Sequence, residues 1–243
     1  MSGERGRRGA AGRKRRAHAE RPSGRGLTVR VKSAKTRKGA STRWLERQLN
    51  DPYVAEAQKR GYRSRAAFKL LQLDEKYNFL GKAQRLVDLG SAPGGWLQVA
   101  REICPKSCRI LGIDLNEVEA LAGVELLTGD FLEPETPGRL LAALGGAADV
   151  VLSDMAANAT GHAKTDHLKI MALAEVALDF AEEVLAPGGS FVAKVLQGGT
   201  EAGLLTRLKQ DFAKVHHFKP AASRSGSAEM YLVALGFRGG NTK

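Results

Sequence analysis

Four aspartates recur at the same point of a repeating pattern. Leu86-Val87-Asp88, Ile110-Leu111-Gly112-Ile113-Asp114, Val124-Glu125-Leu126-Leu127 running on to Gly129-Asp130, and Val150-Val151-Leu152-Ser153-Asp154 are short, mostly apolar runs that each end in an acid. Ligands of open α/β sheets bind beyond the carboxyl ends of the strands, so this spacing gathers Asp88, Asp114, Asp130 and Asp154 on one crevice. An acid after the second strand can accept both hydroxyls of a ribose, and Asp130 can accept from an adenine amino group. Any one of them could instead be an ordinary helix N-cap; four in register make that reading hard to keep. Lys194, within Phe191-Val192-Ala193-Lys194-Val195-Leu196, is the second anomaly. A lysine in an apolar strand costs free energy unless it is paired or reaches a cleft, which makes it a functional candidate.

Gly90-Ser91-Ala92-Pro93-Gly94-Gly95-Trp96 joins the first of these strands to a helix. Glycines there let the backbone approach a ligand, and helix N-terminal N–H groups point at it. The spacing is not Gly-x-Gly-x-x-Gly, and no Gly-Lys-Ser/Thr follows, which excludes a dinucleotide fingerprint and a P-loop. Asp88 beside the turn disfavours a phosphate. It suits a cationic, hydrogen-bond-donating ligand such as the amino group and sulfonium of S-adenosylmethionine.

The elements that must position these residues alternate strand and helix from Arg85 onward, the pattern of a largely parallel sheet covered on both faces. A helix from His167 to Leu185 precedes the strand Ser190–Leu196; a helix Thr200–Phe212, a strand Val215–Lys219 and a last strand Glu229–Leu235 follow. Ahead of the sheet, short helices are predicted over 41–49, 53–59 and 65–77, the last capped by Ser64. Arg60, Arg63, Arg65 and Lys69 crowd the stretch around Tyr62, a mixture suited to backbone phosphate and a base, or to an ordinary solvated basic face. Ser223–Ser227 reads as a polar loop beside the substrate side.

Of 243 residues, the first 40 hold 14 Lys and Arg against two acids, so the entire net charge of +12 sits there. The segment is nearly free of large apolar residues and is expected to be a disordered basic tail, 1–40, gaining affinity for RNA by counterion release, or merely solubilising. Residues 41–243 suffice for one domain. No apolar run is long enough to span a membrane and no secretory signal is evident, so a cytoplasmic location is expected. Cys104 and Cys108 lack the partners a zinc site needs, so no metal is expected.

From about Arg43 to Phe237 the chain resembles the FtsJ/RrmJ (RlmE) family of ribosomal RNA large-subunit 2′-O-methyltransferases. The resemblance rests on Arg63-Ser64-Arg65-Ala66-Ala67-Phe68-Lys69-Leu70, on Asp88 through Trp96 and on Ser153-Asp154-Met155-Ala156-Ala157-Asn158. It continues through Leu185 to Lys194 and Ser227-Ala228-Glu229-Met230-Tyr231. It implies a Rossmann-like S-adenosylmethionine-dependent methyltransferase fold with a mostly parallel seven-stranded sheet. It also implies a catalytic tetrad on Lys69, Asp154, Lys194 and Glu229, and cofactor contacts at Gly94, Trp96, Asp114, Asp130 and Asp154. Asp88 and Gly90 join the cofactor set from the residue-level reading. Ala157 stands where the family usually has proline. On this reading Lys194 is the general base, Lys69 favours its neutral form, Asp154 holds it, and Glu229 positions Lys69 or the ribose. The implied substrate is a uridine of 23S-type ribosomal RNA in the assembled large subunit, acted on by a monomer. The alternatives are the same chemistry on tRNA or an mRNA cap, or a non-catalytic RNA-binding assembly factor.

Overall fold

A computed structural model describes residues 45–46, 48–157, 160–197 and 202–239. The predicted basic tail and residues 41–44 and 47 of the first predicted helix lie outside them; residues 45, 46, 48 and 49 are helical. Helix α1 (Pro52–Arg60) opens on Asp51, whose side chain accepts from the Tyr53 N–H, with proline at its first position. It stops at Gly61 with φ +73°. Proline suits a first turn that needs no N–H, and glycine takes the left-handed stop without strain. Helix α2 (Ala67–Tyr77) follows. Its expected cap fails: Ala66 stands at the N-cap without a side-chain bond, and the Ser64 hydroxyl is buried without a partner. Ser64 Oγ would lie 2.6 Å from a Cβ on Gly95, so its position is taken by close packing against the glycine turn.

The remaining elements are β1 (Arg85–Leu89), α3 (Gly95–Ile103), β2 (Arg109–Asp114), β3 (Glu125–Thr128), α4 (Thr136–Leu144), β4 (Ala148–Ser153), α5 (Ala163–Val184), β5 (Leu185–Leu196), α6 (Ala202–Asp211), β6 (Phe212–Phe218) and β7 (Glu229–Phe237). They build one seven-stranded sheet in the order β3-β2-β1-β4-β5-β7-β6. The first five strands run parallel, and β7 lies antiparallel to both its neighbours. This is the Rossmann-like α/β arrangement of methyltransferases.

Side chains alternate across each strand, so every strand feeds two cores. Leu86, Ile110, Val150, Val192 and Tyr231 pack with Phe68, Leu70, Trp96 and Leu97 from α2 and α3. Val87, Leu111, Val151 and Phe191 pack on the opposite face with Leu140, Leu178 and Leu204 from α4, α5 and α6. Three starts lie well away from expectation; one is α5, which begins at Ala163 and not at His167. β5 starts at Leu185, which pairs with Ala148 before a register shift, so Pro187-Gly188-Gly189 lies inside the ladder and not between helix and strand. β6 starts at Phe212, because that residue pairs with Phe237. Cys104 and Cys108 are buried free thiols. Among the described residues no cluster could hold a metal ion, and no helix is long and apolar enough to cross a membrane.

Candidate active site

The parallel register aligns the acids. Leu89 of β1 stands level with Ile113 of β2 and Ser153 of β4, so Asp114 and Asp154 come one step beyond that level and Asp88 one step below it. The two-residue alternation turns Asp88 toward the face covered by α1–α3. Its lateral partner on β2 is Gly112, which puts no side chain beside it. Asp88 is 1% exposed, and neither of its carboxylate oxygens has a hydrogen-bond partner. Burial first, then Asp154 and Asp114, push its pKa well above the usual carboxylate range. An unpartnered buried acid is costly, and a donating cation above it would remove the cost.

The glycine turn covers Asp88. Gly90 has φ +77°, and a Cβ there would meet Met155 Cγ at 2.8 Å and its backbone at 2.9 Å, so no larger residue fits. Gly94, with φ +103°, caps α3. Asp114 ties the turn to the next loop: Oδ2 accepts from Ala92 N–H at 2.9 Å, and Oδ1 from Asn116 N–H at 2.8 Å. Asp130 accepts from Leu132 N–H at 2.9 Å. Both acids thus hold turns just beyond the carboxyl ends of β2 and β3. Trp96 is different. Its indole N–H donates to Ala66 C=O at 2.9 Å and its ring lies 5.6 Å from Tyr231, inside the core. It offers the crevice only its backbone N–H, in the first turn of α3.

Beyond the acids stand two ion pairs. Lys194 Nζ lies 3.1 Å from Asp154 Oδ1 and donates to the Asp154 carbonyl at 2.7 Å. Lys69, in the first turn of α2, reaches both oxygens of Glu229 at 2.7 and 2.8 Å. The antiparallel ladder sets this up by pairing Lys194 with Tyr231 and Leu196 with Glu229. Each lysine has its own carboxylate, so Lys69 is first of all the partner of Glu229, whose Oε1 also accepts from the Ser223 hydroxyl at 2.8 Å.

Tyr231 joins the two pairs, and sequence reasoning gave it no role. Its hydroxyl donates to Asp154 Oδ1 at 2.8 Å, and Lys69 Nζ lies 5.7 Å from its ring centre. Burial, then Asp154 and Glu229, hold the phenol well above its ordinary pKa, so it remains a donor. The signal was available: two residues after Glu229 on a strand, a side chain faces the same way.

The basic stretch is mostly committed elsewhere. Arg60 pairs with Glu56 at 2.7 Å, and the buried Tyr62 donates its hydroxyl to Glu102. Arg63 donates to the carbonyls of Glu119 and Ala120 at 2.7 and 2.9 Å, fastening the glycine turn to the β2–β3 loop. Tyr62 is thus no stacking platform and Arg63 no free phosphate ligand. Arg65 and Lys69 do face a cleft of about 930 Å³, closed on its other side by Ser223–Ser227.

The family model described as FtsJ-like methyltransferase matches residues 62–237. The chain is 61% identical over 221 residues to the ribosomal RNA large subunit methyltransferase E of Azorhizobium caulinodans, covering 90% of this chain and 92% of that one. The protein of the same name from Paramagnetospirillum magneticum is 61% identical over 220 residues, covering 88% and 90%. Among solved structures, a putative ribosomal RNA methyltransferase from Plasmodium falciparum matches with TM-score 0.66 at 33% identity, over 74% of this chain and all of that one. The glycine turn, the crevice acids and both lysine–carboxylate pairs fall within the matched span, and the chain belongs to the FtsJ-like methyltransferase family.

Proposed function

We propose that the protein methylates the 2′-hydroxyl of a uridine in large-subunit ribosomal RNA, in the assembled subunit and in the cytoplasm, with S-adenosylmethionine as donor. The observation that carries the donor is Asp88, a buried acid with no partner beneath a glycine turn. Its carboxylate would take the donor's ammonium group, the first-turn N–H groups of α3, Trp96 included, its carboxylate, Asp114 its ribose and Asp130 its adenine. Gly90 and Gly94 let the backbone approach. When bound, the donor supplies an electrophilic methyl carbon.

The chain's own residues supply alignment and a proton acceptor. Lys194, anchored through Asp154, would receive the proton of the ribose hydroxyl in its neutral amine form as the hydroxyl oxygen bonds to the methyl carbon and the methyl–sulfur bond breaks, its electron pair staying on sulfur. Glu229 fixes Lys69 toward the same ribose, and Tyr231 keeps Asp154 in place from below. A positioned base contributes about 10²- to 10⁴-fold. Ribosomal RNA is favoured over tRNA or an mRNA cap by the names of the relatives at about 60% identity.

The test is to incubate the protein with labelled S-adenosylmethionine and separated ribosomal subunits, ribosomal RNA and tRNA, and to map the labelled nucleotide. Label on large-subunit RNA is expected. Lys194→Ala should lower the single-turnover rate at least about 10²-fold with donor affinity within a few fold of wild type. Label confined to tRNA would overturn the substrate, and an undiminished rate would remove Lys194 as the base.

A further inference from the structure

The cleft beside Lys69 carries an unbalanced charge. Its charged lining residues are Arg65, Lys69 and Arg224 against Asp51 and Glu229, three cations to two carboxylates. Lys69 and Glu229 pair with each other, which leaves two guanidinium groups on a single aspartate. Both use the same oxygen: Asp51 Oδ2 lies 3.0 Å from Arg65 Nε and 3.6 Å from Arg224 Nε, while Oδ1 is taken by the Tyr53 N–H.

The sharing is incomplete. Arg65 Nε is buried and makes no hydrogen bond despite its short distance to Asp51. Burial pushes the Arg65 pKa down, Asp51 offsets this, and the facing Arg224 lowers it again, as two cations competing for one anion require. Arg65 is held in place by donating to the Ala222 carbonyl and by lying over the Tyr53 ring. Arg224 is looser, with a side chain 35% exposed in the polar loop. That loop is nonetheless anchored on both sides of Arg224. Gln72 Oε1 accepts from Ala222 N–H at 2.8 Å, Ser223 donates to Glu229, and Lys219 donates to the Ser227 carbonyl at 2.6 Å.

We propose that Asp51, Arg65 and Arg224 form a binding site for one RNA phosphodiester, the linkage adjoining the methylated ribose, with Asp51 holding the two arginines until the phosphate takes Arg224 from it. This rests on the reading of the protein as an RNA 2′-O-methyltransferase and adds the place where the strand is gripped. One phosphodiester carries the single negative charge that completes the cleft's balance, and guanidinium groups match its oxygens in paired hydrogen bonds. Placement agrees: Ser223 touches Glu229 while its neighbour Arg224 touches Asp51. A ribose at the Lys69–Glu229 pair therefore has its adjacent linkage within reach of Arg224. Asp51 acts as a positioning residue and leaves the reaction itself untouched.

The test uses the full chain. Equilibrium binding of a short single-stranded oligouridylate is measured across a salt series, and methyl-transfer kinetics are measured on unmethylated large ribosomal subunits. Arg224→Gln is expected to make the slope of log affinity against log salt shallower by about 0.7, the value for one phosphate on a single strand. It should also raise KM about 3- to 10-fold, with kcat and donor affinity unchanged. Asp51→Asn should move RNA affinity the other way, tightening it at low salt, because the amide oxygen still caps α1 while the charge that holds the two arginines is gone. A plain structural ion pair predicts no change of slope in either variant. Unchanged slope and KM in Arg224→Gln, or a loss of kcat at constant KM, overturns the proposal. Absence of methyl transfer by the wild-type protein would instead count against the functional reading and leave the binding series readable.

Discussion

Asp88 is where stability and binding oppose each other. Its pKa is raised in the folded protein, so it lowers stability nowhere below the ordinary carboxylate range, where it is protonated in both states. As pH rises past about 4 the unfolded chain ionises there first, and the folded state loses ground until its own Asp88 ionises. Asp88→Asn cannot ionise. The variant should melt close to wild type near pH 4 and above it by a margin that widens toward pH 8, on the order of 2–4 °C for each ~1 kcal/mol in a domain of this size. The same change should weaken S-adenosylmethionine by about 10-fold or more, since hydrogen bonds to charged groups contribute ~1.5–3 kcal/mol. Melting curves at several pH values and calorimetry with the donor check both halves. A variant less stable at pH 8 would mean that Asp88 has a stabilising partner in the folded protein.

Among the elements, the loop after β2 and the entrance to α2 depend on one side chain. Arg63 fills the space over Gly94, where a Cβ would fall 2.7 Å from its Nη1, and satisfies carbonyls two loops away. Arg63→Ala hands those exposed carbonyls to water and should cost about 0.5–1.5 kcal/mol in chemical denaturation. Its salt slope for RNA should match that of wild type, in contrast to Arg224. A shallower slope with unchanged stability would place Arg63 on the nucleic acid. What the sequence revealed and concealed follows the same division. Strands ending in acids, a glycine turn and a lysine inside an apolar strand are local patterns with few explanations, so the sheet and its crevice could be read in order. Which arginines face RNA depends on contacts across long separations, such as Arg63 with Glu119 or Arg65 with Asp51, and composition is blind to them. Tyr231 packs as core, and only the β5–β7 register brings its hydroxyl to Asp154. The start of β5 was obscured because Pro187-Gly188-Gly189 reads as a terminator, whereas here it forms an irregularity in a continuing ladder.

On the scale of the whole molecule, the chemistry occupies one face of the sheet. Asp88, Lys194 and Tyr231 share the side of α1–α3, while α4–α6 cover the opposite face with a second hydrophobic core. Removing residues 1–40 should leave that domain's melting temperature and donor affinity unchanged. On ribosomal substrate it should raise KM, leave kcat within about twofold and flatten the salt dependence of RNA binding, since 14 cationic side chains are lost. Equal salt slopes for the two proteins would reduce the segment to a solubilising appendage, and a collapsed kcat would mean that it reaches the reacting groups. The attachment point adds a geometric consequence. Residues 48 and 49 are helical, and Asp51, two residues further on, already lines the cleft. Any strand captured by the first 40 residues would thus be tethered at the mouth of the cleft, where linkage raises the local concentration of a second contact. A target bound weakly from free solution would then be met as an intramolecular partner, so the domain could hold each nucleotide loosely and still find it often.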